Sequence, residues 1–436
     1  MASNPSCHHE PVLAGHLQHV SPDADDQRAL YLTQLAMRVD PTYNKNGDHI
    51  NIALIPITQK QALPLIRVRT DDHDDPNSRY PFSLALDTGS GMTWLKVDTH
   101  EHIENWRNNN STTFHGADVT LTYGGGSTVS ARLCDDHISI GPTKGVKTPN
   151  TPQVIGHALH EKITKMEKND ELEGILGIGP RKLTAHLTGK GEIPTVIDNY
   201  FQANPQIKDK IMGLYFTPLE ADKGFLSLGD TANAKAVLKG EIHWVPRTKH
   251  SPAKTYYGFD MKISYGDHSE SEYFCDPPIG PHATGAQPTP LVLHGVTDSG
   301  TTNIMLKPNI LEQYLKHIDH TKHSNAMYSV TEEAFRKMKS LWFHLLDGEH
   351  EVAKLEFVPN AQVMSEGRAE IIPEALKIPG HKYLVFKALT HLPGVDFILG
   401  YHFLQRYYTA INFAGDNPET HTQGFALTEY TKAEKF

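Results

Sequence analysis

The chain has 436 residues, 38% hydrophobic and 8% aromatic, with a formal charge of −10 when its 27 histidines are neutral. That length admits two lobes with separate cores, and no run approaches the roughly 20 apolar residues that cross a bilayer. The acidic balance, with no Lys/Arg block or stripe, argues against nucleic acid as a partner.

Residues 1–45 are polar, with a short amphipathic stretch from Arg28 to Arg38. Met1 to His9 lacks the basic and apolar regions of a secretory leader, so the expectation is an intracellular chain or a secreted one without its leader. Strand patterns follow at Ile50–Ile55 and Leu65–Val68, then a turn-rich Asp71 to Arg79 that reads as a solvated hairpin tip, since it lacks the glycine-bearing spacing of a calcium loop. Phe82–Leu86 forms an apolar strand into Asp87-Thr88-Gly89-Ser90. Val119–Tyr123 alternates as a strand before Gly124-Gly125-Gly126 and Ser127, a hairpin with a flexible tip. Pro194–Phe201 is expected to be helical. The first lobe closes near Gly224–Asp230 and the second opens at Gly240–Pro246, which gives a polar segment 1–45 and lobes 46–240 and 241–436. Cys275 to Gln287 reads as a breaker-rich loop. Leu291–Thr297 then leads into Asp298-Ser299-Gly300-Thr301, and a second helix is expected over Pro308–His317.

The same short turn therefore occurs twice, 211 residues apart, each time at the end of a strand. A strand delivers the carboxylate, the glycine permits a close approach that a Cβ would block, and the neighbouring hydroxyls can bind carboxylate oxygens. Two such turns meeting about a pseudo-two-fold axis place their carboxyls about 3 Å apart, where both cannot ionise and one proton is shared. A water between them can then be activated by a base on one side and an acid on the other.

At these residues the chain resembles the pepsin-like aspartic proteases, from about residue 48 to its end, and that family is itself the standing example of two aspartates sharing a proton. The likeness also rests on Trp94 after the first turn, the tyrosine-bearing hairpin at Tyr123, Glu173–Gly179, the Asp298–Leu306 motif, and Phe397–Gly400 with Phe403 and Tyr407–Thr409. It implies an all-β, bilobal fold with few short helices and an aspartic-type endopeptidase, monomeric and without cofactor or metal, acting on polypeptides with apolar side chains beside the scissile bond. Asp87 and Asp298 become the dyad, Ser90 and Thr301 its outer hydrogen-bond partners, and Thr88 and Ser299 the tie between loops, with Gly89 and Gly300 at the turns. Tyr123 becomes the flap residue linked to Trp94, with Gly124, Gly125, Gly126, Ser127 and Thr302 beside the substrate.

Other features qualify this picture. Cys7, Cys134 and Cys275 are widely spaced and read as free thiols. The histidines form no zinc spacing and read as surface residues whose protonation makes the chain cationic below about pH 6, so a mildly acidic optimum is expected. Relatives often begin with a basic inhibitory segment, whereas residues 1–50 hold Arg28, Arg38 and Lys45 against six acids, which speaks against that control. Gly91, His294, Thr297 and Tyr401 depart from the family pattern. Two other readings fit the same fold: a binding protein without turnover, and a cleft turned to small-molecule chemistry.

Overall fold

The computed structural model describes residues 53–60, 63–70, 82–96, 113–114, 118–123, 127–140, 150–162, 172–187, 191–217, 224–229, 234–235, 237–275, 289–364, 372, 377–414 and 420–433. The Arg28–Arg38 stretch, the Asp71–Arg79 tip, the glycines 124–126 and most of the Cys275–Gln287 loop lie outside the described residues.

Strands dominate, and the two aspartate turns sit in the same local topology. Phe82–Asp87 lies between an antiparallel neighbour, Leu63–Thr70, and a parallel one, Gly174–Gly177, with Asp87 opposite Gly177. Gly174–Gly177 pairs antiparallel with Trp94–Lys96, which runs parallel to Asn150–Lys162. In the second half, Leu293–Thr297 lies between the antiparallel Gly258–Tyr265 and the parallel Phe397–Leu399. Phe397–Leu399 in turn pairs antiparallel with Ile304–Leu306, itself parallel to Phe386–Ala388. The duplicated sequence motif is thus the visible part of a duplicated sheet pattern. Parallel strands covered on both faces need continuous apolar runs. Leu84-Ala85-Leu86, Gly174-Ile175-Leu176-Gly177 and Phe397-Ile398-Leu399 supply them and are buried, while Phe82 and Ser83 at the head of the first strand are half-buried.

A seam of six antiparallel strands joins the halves. His243–Pro246, Thr422–Leu427 and Tyr407–Asn412 run into Ile211–Tyr215, Gly224–Leu228 and Ala53–Lys60. At the central pairing Gly213 lies opposite Ala410. A side chain at Gly213 would collide with the Ser227 and Tyr408 hydroxyls, so the close approach requires glycine there.

Both expected helices form, slightly displaced. One spans Val196–Ala203, where Thr195 and Asp198 make a reciprocal capping box and Val196, Ile197, Tyr200 and Phe201 are buried. The other spans Pro308–Lys316, opened by proline and buried at Ile310, Leu311, Tyr314 and Leu315. The expected strands at 50–55 and 65–68 appear as Ala53–Lys60 and Leu63–Thr70.

The surface reading of the histidines is wrong for several. His157, His344, His402 and His421 are buried. His157 meets the Cys134 thiol at 2.8 Å, and His344 meets Ser264 at 2.8 Å and Glu351 at 2.7 Å. An imidazole can go inside when its nitrogens find partners, and single-residue composition does not reveal them. Cys134 and Cys275 are free thiols, and burial raises the Cys134 pKa above its ordinary value.

Candidate active site

The two turns are pressed together. A Cβ on Gly89 would lie 2.7 Å from Asp298 Oδ1, and one on Gly300 would lie 2.7 Å from Asp87 Oδ1. Each glycine is therefore the floor on which the opposite carboxyl rests. Gly89 N–H also donates to Asp87 Oδ1 at 2.8 Å, and Gly300 N–H donates to Asp298 Oδ1 at 2.9 Å. Asp87 is 1% exposed and Asp298 3%, so neither charge is well hydrated.

Beneath them the loops are tied reciprocally. Thr88 N–H donates to Ser299 Oγ at 3.0 Å while Ser299 N–H donates to Thr88 Oγ1 at 3.0 Å. The Ser299 hydroxyl donates to the Leu86 carbonyl at 2.7 Å, and the Thr88 hydroxyl reaches the Thr297 carbonyl at 3.4 Å. The parallel neighbours brace the turns from outside: Ile178 N–H donates to the Asp87 carbonyl at 2.9 Å, Gly179 N–H to Ser90 at 2.7 Å, and Asp298 N–H to the Leu399 carbonyl at 3.1 Å.

The outer oxygens differ. Thr301 Oγ1 donates to Asp298 Oδ2 at 2.5 Å. Ser90 lies beside Asp87 and favours its ionised form, but Ser90 Oγ and Asp87 Oδ2 are buried and close no well-formed hydrogen bond. Unsatisfied buried polar atoms are uncommon and mark either strain or a functional position. Both carboxyls are raised above the ordinary 3.8, first by burial, with the Asp298 charge adding to the rise at Asp87. For Asp298 the hydrogen bonds from Thr301, Asp87, Gly300 and Gly89 work against burial. Both rises belong to the pair, which shares one proton and titrates as a unit.

Trp94, fully buried, donates its Nε1–H to the Tyr123 hydroxyl at 2.6 Å, with ring centroids 6.4 Å apart. Tyr123 is paired with Ser127 across the hairpin, and both are buried. Thr302 is nearly buried behind Thr301, its carbonyl accepting from His402 N–H at 3.1 Å.

Each departure from the family pattern has a local cause. A Cβ at Gly91 would stand 2.9 Å from Thr184 Cγ2 and 3.0 Å from the Pro180 carbonyl, so no serine or threonine fits. Thr297 accepts from Gln423 Nε2 at 2.5 Å. His294 bonds Asp260 Oδ1 at 2.8 Å through Nδ1 and stacks on His250 with centroids 3.4 Å apart. Tyr401 is buried edge-on against Phe216, centroids 5.4 Å apart. The sequence reading missed the grouping of His250, Asp260 and His294, because a loop and two strands bring them together.

The family model described as eukaryotic aspartyl protease matches residues 77–421. The chain is 27% identical over 361 residues to polyporopepsin of Irpex lacteus, covering 81% of this chain and 92% of that one. It is 23% identical over 256 residues to aspergillopepsin-1 of Aspergillus oryzae, covering 55% of this chain and 52% of that one. The crystal structure of the aspartic proteinase from Irpex lacteus superimposes with a TM-score of 0.69 at 24% identity, over 88% of this chain and all of that one, a likeness of fold.

Proposed function

We propose, from the premise that the chain belongs to the eukaryotic aspartyl protease family, that Asp87 and Asp298 hydrolyse peptide bonds by activating one water between them. The observation that carries the reading is reciprocal packing: each turn glycine leaves room only for the carboxyl of the other turn. One carboxyl of the pair holds the shared proton and the other carries the charge, with the outer oxygen of Asp298 fixed by Thr301. The ionised carboxyl takes a proton from the water as the water oxygen attacks the peptide carbonyl carbon, while the protonated carboxyl gives its proton to the carbonyl oxygen. The tetrahedral diol collapses when one carboxyl passes its proton to the leaving nitrogen and the other takes a proton from a diol hydroxyl, which frees amine and acid, restores the singly protonated pair and forms no covalent enzyme intermediate. Burial keeps both steps in a poorly hydrated setting, where a fixed charge acts more strongly than in water.

Thr88 and Ser299 hold the carboxyls in register, and Tyr123, anchored by Trp94, stands in the hairpin that closes over substrate. The glycines 124–126, Ser127 and Thr302 are assigned to substrate contact by family likeness, as is the preference for apolar side chains beside the scissile bond. Lobes meeting near residue 240, with monomeric action, complete the reading. Cleavage of a denatured protein at about pH 5 that pepstatin blocks is the expected result. Folded protein that leaves a broad peptide library uncut would overturn it in favour of a binding protein or a small-molecule enzyme.

A further inference from the structure

A cavity of about 590 Å³ opens between residues of the two halves, and its lining is charged in a way the whole chain is not. Arg181, Lys182, Arg247, Lys249 and Lys254 face it, against two carboxylates, Glu192 and Asp198, among the described lining residues. The chain as a whole carries −10, so this concentration of cations runs against the overall charge.

Among the described residues, the lysines of this lining are the cations left available. Asp198 engages Arg181 at 3.2 Å and is also committed to capping its own helix at Thr195. The Arg247 guanidinium donates to the carbonyls of Lys254 and Tyr256, at 2.7 and 2.5 Å, which fix its position. The ammonium groups of Lys182, Lys249 and Lys254 make no ion pair among the described residues. The floor, by contrast, is buried and partly apolar. Pro180, Tyr257, Phe413 and His421 are buried, Tyr257 meets Phe413 edge-on with centroids 6.1 Å apart, and His421 packs on Phe413 at 4.9 Å.

A single small anion does not fill such a volume, and an apolar floor under a cationic rim suits a peptide that carries acidic side chains. Cations in a concave site also focus field lines and draw an acidic ligand in. The cavity is joined to the aspartate turns through backbone. The Tyr257 hydroxyl donates to the Ile178 carbonyl at 3.0 Å, Ile178 N–H donates to the Asp87 carbonyl at 2.9 Å, and Pro180 continues the same brace.

We propose that this cavity is a secondary binding site for acidic segments of polypeptide substrates, so that the enzyme favours chains bearing Asp/Glu-rich stretches away from the scissile bond. The inference rests on the endopeptidase reading and adds a substrate class to it. A peptide with an Asp/Glu-rich extension has a KM roughly tenfold below that of its Asn/Gln counterpart at low salt, which is about 1.4 kcal/mol shared among several exposed pairs. The advantage fades as salt approaches 1 M, where screening acts over about 3 Å.

The test compares the two peptides on the full chain and on a Lys182→Glu/Lys254→Glu variant, with turnover measured beside anisotropy of a labelled, uncleavable acidic peptide. The expected result is that charge reversal removes the acidic preference and the peptide binding while leaving kcat/KM on the neutral peptide unchanged. Equal KM for both peptides, or a preference that survives the reversal, overturns the proposal while proteolysis stands. Tripolyphosphate binding as tightly as the acidic peptide overturns the peptide assignment in favour of a free anion. Acidic peptide that binds to wild type and not to the variant, with neither peptide cut, supports the site and refutes the proteolytic reading.

Discussion

Replacing Thr88 with valine keeps the shape of a buried side chain and deletes one hydroxyl from the tie between the two turns. The loss is specific: Ser299 N–H, now accepted at 3.0 Å by Thr88 Oγ1, is left buried with no acceptor, and the weaker contact to the Thr297 carbonyl at 3.4 Å goes with it. An orphaned buried donor costs about 1–3 kcal/mol, so the variant is expected to lose that much in chemical unfolding. Ser299→Ala does the mirror-image damage, orphaning Thr88 N–H and the Leu86 carbonyl. Because both ties hold the same pair of loops, the double variant loses less than the sum of the single ones: loops that have parted at one tie gain little from the other. Activity falls further than stability, because the carboxyls each rest on the opposite loop and a misplacement of about 1 Å can cost on the order of 100-fold. The assay is urea unfolding together with kcat/KM on one peptide for wild type, both single variants and the double. Unchanged stability in Thr88→Val, or strictly additive losses with kcat/KM intact, would refute the reasoning.

Gly300→Ala places a methyl group 2.7 Å from Asp87 Oδ1. It is expected to cost about 1–3 kcal/mol and most of the activity, and a variant with wild-type kcat/KM would show that the carboxyls do not rest where described. Tyr123→Phe strips the acceptor from a fully buried Trp94 Nε1–H, so thermal unfolding drops by a few degrees and kcat/KM falls, whereas an unaltered melting temperature would deny that this 2.6 Å bond contributes to stability. Asp87 also sets the alkaline side of stability. Its folded pKa is raised, so its contribution is full below the ordinary 3.8 and is lost as pH rises through the folded value. Asp87→Asn reduces that slope, Asp298 keeping its own share through burial, and is expected to gain melting temperature relative to wild type as pH rises, with parallel curves as the contrary result. On the acid side His344, lowered chiefly by burial and opposed by Glu351, contributes stability present above 6.5 that is lost as pH falls below it.

How much of this was readable in advance depended on distance along the chain. The aspartate turns, the capped helix at Thr195 and the proline-started helix at Pro308 follow from residues within a few positions of one another, and local patterns fixed them to within two residues or so. The alternation of Val119–Tyr123, with Val119, Leu121 and Tyr123 inside, was equally local. Thr297 and His294 looked out of place in an apolar strand because the partners that justify them, Gln423 and Asp260, lie 126 and 34 residues away. Gly91 departs from the family pattern for an equally distant reason, since Thr184 and the Pro180 carbonyl stand where a side chain would go. The cationic cavity was invisible for the same reason: Arg181, Lys182 and Arg247 to Lys254 form no block in sequence and meet only across the lobes. Several histidines were misplaced to the surface because burial of an imidazole depends on partners such as Ser264 and Cys134 that no spacing rule supplies.

The central claim is that two carboxyls from opposite halves act as one acid–base pair on a single water. It is tested most directly by the pH dependence of kcat/KM for wild type, Asp87→Asn and Asp298→Asn, each with its fold checked by circular dichroism. Wild type is expected to give a bell with two apparent pKa values belonging to the pair, and each asparagine variant, folded and still able to bind pepstatin weakly, is expected to lose at least about 100-fold to 10,000-fold of the rate. A folded single variant that retains a tenth or more of wild-type turnover with an unchanged profile would contradict the account.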